Sequence, residues 1–84
     1  MVDQAEQLLL DLGFHQVRVR IHGEGRNTIA RIEILPAEFA RLMQEENRER
    51  IHHRFKDIGF AYVTLDLGGY RTGSMNETLK KELV

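Results

Sequence analysis

Residues 11–21, DLGFHQVRVRI, and residues 57–67, DIGFAYVTLDL, follow one pattern. Each begins with Asp, an aliphatic residue, Gly and Phe, and from a valine onward each alternates apolar with polar residues. A glycine after a helical stretch supplies the left-handed backbone that ends a helix, and the next apolar residue packs back on the last turn. The repeat therefore predicts two helix-to-strand corners, in two α–β units related by pseudo-symmetry.

Apolar residues at helical spacing precede each of the two corners. Residues 3–12 predict a helix, with Asp3 as its N-cap and Glu6 completing a capping box. A second helical region is predicted to start at Pro36, which suits the first position of a helix, and to bend or break at 45–47. Its predicted apolar positions are Phe39, Leu42, Met43, Ile51, Phe55 and Ile58.

Three strands are predicted, at 16–22, 28–35 and 61–67. The first two should form an antiparallel hairpin around a turn at 23–27, and the third should join the sheet by a crossover. The predicted fold is therefore α+β in the order α-β-β-α-α-β, with helices packed on one face of the sheet. Residues 75–84 predict a short frayed helix. The predicted inward side chains are Val17, Val19, Ile21, Ala30, Ile32, Ile34, Val63, Leu65 and Leu67.

Composition limits the class of protein. A chain of 84 residues predicts one small domain, residues 1–84, with a thin core. The formal net charge of −1 and the lack of a basic tail argue against a nucleic-acid partner. No cysteine is present, which excludes a disulfide, a thiolate metal site and a cysteine nucleophile within these residues. No apolar run approaches the ~20 residues of a membrane span and no signal-peptide pattern opens the chain, so we expect no membrane partner and a cytoplasmic location.

The sheet face away from the helices is predicted to be open and rich in arginine. A solvated face with cross-strand ion pairs is one interpretation. The other is an anion site, because guanidinium groups match phosphate or carboxylate groups in a bidentate manner. Arg18 and Arg20 lie two apart on one strand and could grip one phosphate. The polar residues of this face are Arg18, Arg20, Arg31, Glu33, Thr64 and Asp66.

The segment GGYRTGS at 68–74 is a second candidate for binding an anion. Its glycines, hydroxyl groups and arginine could form a nest of backbone N–H groups, with Gly69, Arg71, Gly73 and Ser74 as the candidates. It lacks the lysine and spacing of a nucleotide P-loop, and a flexible exit loop is the alternative. The histidines predict no metal site, since the adjacent pair at 52–53 would face different directions on a helix.

Three blocks of the sequence carry a family resemblance. They are residues 9–23 (LLDLGFHQVRVRIHG), 30–36 (ARIEILP) and 59–79 (GFAYVTLDLGGYRTGSMNETL). Together they resemble the C-terminal domain of the LarE-type ATP-dependent sacrificial sulfur transferases, within the PP-loop ATP pyrophosphatase superfamily. These enzymes help to make the nickel-pincer cofactor of lactate racemase.

The resemblance implies one part of an enzyme. In the family, an ATP-binding domain with a Ser-Gly-Gly-x-Asp-Ser loop adenylates a carboxylate of a pyridinium mononucleotide, and a cysteine gives up its sulfur. This chain has neither feature, so it should not be catalytic alone and should bind no cofactor by itself; ATP and Mg act in the full-length family. The implied partners are a PP-loop ATP-binding domain in the same or a separate chain, further copies in a homo-oligomer, and a small nucleotide substrate.

The resemblance also assigns residues. The RVR motif falls on Arg18 and Arg20, which would hold the substrate phosphate together with Arg31. Glu33 and Glu6 match acidic positions and become candidates for a metal or subunit contact. The sequence departs from the family at EGRNT, residues 24–28, where the hairpin turn is longer than usual and the geometry beside His22 becomes doubtful. A non-catalytic oligomerisation or protein-interaction module remains the alternative function.

Overall fold

A computed structural model of the chain describes residues 1–71. Three helices and three strands follow in the order α-β-β-α-α-β, which confirms the predicted α+β class. In the sheet, the strand order is β1-β2-β3, with β1 antiparallel and β3 parallel to β2. No helix in residues 1–71 has the length and apolar character needed to cross a membrane. The predicted helix at 75–84 lies outside the described residues. The elements are α1 (Val2–Asp11), β1 (Val17–His22), β2 (Ile29–Ile34), α2 (Phe39–Leu42), α3 (Glu45–Ile58) and β3 (Tyr62–Leu65), with 3₁₀ turns at Gly25–Asn27 and Pro36–Glu38.

Both predicted corners are present. Gly13 and Gly59 have φ angles of 97° and 126°, in the region that favours glycine. The N–H groups of Phe14 and Phe60 donate to carbonyl oxygens five residues earlier, at 3.1 and 3.2 Å. Because β1 and β3 run antiparallel at opposite edges of the sheet, the two corners lie at opposite ends of the sheet.

One apolar core lies between the helices and the sheet. The inward prediction is confirmed for the central strand and for Val19, whereas Ile21 is 41% exposed. The inward predictions for Ile21 and Leu67 are therefore wrong: Leu67 is 82% exposed because β3 ends at Leu65 and the chain turns. Met43, predicted on the apolar stripe of a helix, is 53% exposed at the end of α2. The buried side chains are Ala5, Leu9, Phe14, Val19, Ala30, Ile32, Ile34, Leu42, Ile51, Phe55 and Phe60.

The predicted start of the first helix is wrong. The N-cap is Met1, and Asp3 lies in the first turn, where a carboxylate interacts favourably with the helix dipole. Glu6 therefore completes no capping box. Its carboxylate instead accepts a hydrogen bond of 2.9 Å from the backbone N–H of Val19 in β1, which ties the helix to the strand.

The predicted break at 45–47 is displaced by two residues. The chain turns at 43–44, and Glu45 and Glu46 form the first turn of α3, where acidic side chains are favourable. Asn47 donates a side-chain hydrogen bond of 2.8 Å to the carbonyl of Arg41. This bond joins the first turn of α3 to α2, so the asparagine that suggested a break links the two helices instead.

Candidate functional site

The open sheet face holds a mixed cluster of arginines and carboxylates. Arg20 in β1 lies directly opposite Arg31 in β2, and like charges in that arrangement are destabilising unless a counter-charge lies between them. Glu33 is that counter-charge. Its Oε1 atom is 3.6 Å from Nε of Arg20, and its Oε2 atom is 3.2 Å from Nη2 of Arg31. The structure therefore brings together three of the predicted site residues.

Asp66, which follows β3, completes the environment of Arg31. Its Oδ2 atom is 3.5 Å from Nε of Arg31, and its Oδ1 atom accepts a hydrogen bond of 2.8 Å from Gly68 N–H. Nε of Arg31 is nevertheless buried without a hydrogen-bond partner, an uncommon state for a polar atom. Arg31 is thus held between two carboxylates while keeping hydrogen-bonding capacity unused.

Arg18 differs from the other two arginines. It is exposed, and it forms no ion pair with any side chain of residues 1–71. Its guanidinium carbon lies 5.8 Å from the centroid of the Tyr70 ring, a cation–π contact. The sequence analysis did not identify Tyr70 as a site residue, although an aromatic residue beside Gly68 and Gly69 indicated that the loop packs against another part of the chain.

The arginine face has a small excess of positive charge. Its three arginines are opposed by two carboxylates, Glu33 and Asp66, which leaves one formal positive charge.

The described part of the candidate anion loop is held by backbone hydrogen bonds to the end of β3 and to β2. The N–H of Gly69 donates to the carbonyl of Asp66 at 3.0 Å, and the N–H of Tyr70 donates to the carbonyl of Ile34 at 2.7 Å. The Arg71 guanidinium lies beside Gly68. Gly73 and Ser74 lie outside the described residues. The anion-binding nest at 68–74 therefore remains a prediction.

The two acidic candidates, Glu6 and Glu33, have different surroundings. Glu6 binds the backbone of β1, whereas Glu33 lies among the arginines with its side chain 14% exposed. Within residues 1–71, no group of three or more His, Asp or Glu side chains is placed to hold a metal ion. The histidine rings at positions 52 and 53 are exposed, with centroids 6.3 Å apart. A role for either glutamate in a metal or subunit contact remains a prediction.

We expect Glu33→Gln to lower stability and raise anion affinity at the same time. The change leaves the facing guanidinium groups of Arg20 and Arg31 without their shared counter-charge, so the free energy of unfolding should fall by about 1–2 kcal/mol. The site gains one net positive charge, so sulfate should bind about three- to tenfold more tightly. Urea unfolding and sulfate titration monitored by NMR measure the two quantities.

Glu46→Gln is the matched control for this change. Glu46 is 3.4 Å from Arg50 on α3, with its side chain 82% exposed, and such helix pairs contribute a few tenths of a kcal/mol. Neither stability nor sulfate affinity should change measurably in the control. A fall in sulfate affinity in Glu33→Gln would show that the carboxylate helps to bind the anion rather than competing with it.

Comparison with known proteins relates the chain to part of a larger enzyme. It is 47% identical over 77 residues to the pyridinium-3,5-bisthiocarboxylic acid mononucleotide synthase of Lactiplantibacillus plantarum, matching 92% of the chain and 26% of the synthase. It is 40% identical over 80 residues to an uncharacterized protein of Synechocystis, matching 95% of the chain and 28% of that protein. The chain thus spans about a quarter of the length of these curated relatives. No protein-family model matches it.

Proposed function

We propose that the chain is the C-terminal, substrate-phosphate-binding and assembly domain of a LarE-type ATP-dependent sulfur transferase acting in nickel-pincer cofactor biosynthesis. The support is the 47% identity to a synthase of a pyridinium mononucleotide, together with the open arginine face. Within its 84 residues the chain has no cysteine and no Ser-Gly-Gly-x-Asp-Ser loop. Adenylation and sulfur donation would therefore be supplied by other residues of the enzyme.

The observation that supports the proposal most directly is that Arg18 and Arg20 lie close together on one strand. They lie two residues apart on β1, about 6.5–7 Å between Cα atoms, and both point to the open face. A phosphate group between two guanidinium groups at that spacing can accept hydrogen bonds from each. Arg20 already forms an ion pair with Glu33, so its positive charge is partly neutralised. Arg18 would therefore supply the positive charge that is less neutralised by a carboxylate. A nucleotide phosphate is the dianion that this arrangement suits.

The remaining partners follow from the same proposal. ATP and Mg would act in a PP-loop domain, in the same or a separate chain, in a cytoplasmic homo-oligomer. Such a domain, the nucleotide or another copy would cover the open face. Arg31, held by two carboxylates, would assist from the adjacent strand, and Tyr70 would keep Arg18 over the sheet.

The test is the double variant Arg18→Ala with Arg20→Ala, titrated with sulfate and with nicotinate mononucleotide in NMR. Loss of two charge-assisted contacts should weaken binding of both ligands by at least about tenfold. The matched control is Arg48→Ala with Arg50→Ala, which removes the same charge from the exposed surface of α3. Binding as tight as that of the parent in the first variant would show that the phosphate role is wrong.

A further inference from the structure

A groove of about 300 Å³ lies between the helices and β3, away from the arginine face. Its floor is apolar and comes from β2, α2 and α3, through Ile32, Leu42 and Ile51. Its wall is the run of residues 63–65 in β3. Successive residues of a strand point to opposite faces, so a groove lined by three in a row must extend to the strand's edge.

The outer edges of β1 and β3 differ in the groups that occupy them. At the edge of β1, the Val19 N–H is occupied by the carboxylate of Glu6, the kind of cover that stops another strand from pairing there. Within residues 1–71, β3 pairs with β2 alone, so its outer edge has no strand partner there. Tyr62 at the start of β3 and Leu67 just after its end are 64% and 82% exposed. An exposed edge beside an apolar groove is the geometry of strand addition.

Charge at the rim of the groove selects the partner. The titratable side chains that line it are Arg48 and His52, one turn apart on α3, and no carboxylate among residues 1–71 lines it. The Arg48 guanidinium is 3.8 Å from its neighbour Glu49, and both side chains are more than half exposed. Such a pair is weak, so the guanidinium can exchange it for a carboxylate delivered to the groove.

We propose that the edge of β3 and this groove bind an extended segment of a partner protein, added to the sheet as a fourth strand. Alternate side chains of that segment are apolar and enter the groove, and an acidic side chain faces Arg48 and His52. Backbone hydrogen bonds to the outer edge of β3 supply affinity, while the groove and its basic rim supply specificity. This surface uses neither Arg18 nor Arg20 and does not depend on the phosphate site.

The test uses the isotope-labelled 84-residue chain and two synthetic peptides. Both peptides alternate valine and threonine over seven residues, and they end in glutamate or in lysine. We expect the glutamate peptide to shift the amide signals of β3 and α3 and to slow hydrogen exchange at Val63 and Leu65, whose N–H groups point away from β2 because that of Asp66 donates to Ile32. The lysine peptide should bind at least about fivefold more weakly.

Variants of α3 provide the charge control. Arg48→Glu with His52→Glu should reverse the preference between the two peptides. His53→Glu with Arg54→Glu makes the same change of residue types on the same helix, at positions that do not line the groove, and should leave the preference unchanged. No shift of β3 signals with either peptide, or an equal effect of both double variants, overturns the proposal. So does slow exchange at Val63 and Leu65 in the dilute chain without peptide, because the chain then covers its own edge.

Discussion

Phe14→Ala is expected to lower the free energy of unfolding by about 3–5 kcal/mol, since truncating a buried aromatic ring loses transfer free energy and leaves a cavity. The Phe14 side chain is 1% exposed and belongs to the apolar core between the helices and the sheet. A domain of this size has a total stability of roughly 4–12 kcal/mol. The variant should therefore unfold at a much lower urea concentration than the parent, and a parent stability near the low end of that range would leave it partly unfolded without denaturant.

The contacts of Arg41 with Phe14 should increase this loss of stability. Its guanidinium carbon lies 4.0 Å from the centroid of the Phe14 ring, while its nitrogens donate to the carbonyls of Leu12 and Gly13 at 3.0 and 2.9 Å. The arginine thus binds the end of α1 and covers the aromatic anchor of the first corner. Phe60, at the second corner, instead packs on Phe55 with ring centroids 5.6 Å apart. Removal of Phe14 therefore also loosens Arg41.

Urea unfolding followed by circular dichroism measures the effect. Phe60→Ala should cost about 3–5 kcal/mol as well, because the second corner buries its ring to the same degree. Leu10→Ala on α1 is the control, since Leu10 is 44% exposed and its truncation should cost less than about 1 kcal/mol. A loss near that of Leu10→Ala in Phe14→Ala would mean that the repeated corners do not anchor the core.

The corners could be predicted from sequence because their causes are local. A glycine that takes positive φ and an aromatic residue that packs back on the preceding turn are adjacent in the chain, and the alternation that follows identifies the buried face of each strand. The errors arise where distant residues decide. Glu6 looked like part of a capping box, but its carboxylate reaches Val19, thirteen residues away.

In the candidate site, too, the features set by local sequence could be predicted, whereas those set by distant residues could not. Strand alternation placed Arg18, Arg20 and Arg31 on one face, which the sheet register bears out. It could not show that Glu33 lies between two facing arginines, because that depends on which residues of the hairpin are paired. Nor could it show Tyr70 beside Arg18, since the path of the loop after β3 is set by contacts with β2.

Gly69→Ala is the second change with a large expected effect, about 2–4 kcal/mol of lost stability. Gly69 is buried with φ of +79°, a conformation that costs an alanine about 1–2 kcal/mol. A Cβ atom there would lie 2.9 Å from the carbonyl oxygen of Ile34 and 2.9 Å from ring carbons of Pro36. These neighbours are backbone and a rigid ring, so relieving the overlap requires the loop to move.

Gly68→Ala is the matched control, one residue away in the same loop. Its φ is not positive, and a Cβ would meet side-chain atoms of Arg71 and Asp66 at 3.0 and 3.2 Å, which can move aside. We expect a loss below about 1 kcal/mol in urea unfolding. Equal losses in the two variants would contradict the steric explanation.

Hydrogen exchange at Tyr70 shows whether the strain stays local. In the parent its N–H donates to the Ile34 carbonyl at 2.7 Å, and in Gly69→Ala we expect this amide to exchange faster than the amides of β2. Arg18 contacts the Tyr70 ring, so a loop that moves away should also weaken sulfate binding. Fast exchange at Tyr70 with unchanged sulfate affinity would mean that Arg18 binds the anion without its aromatic neighbour.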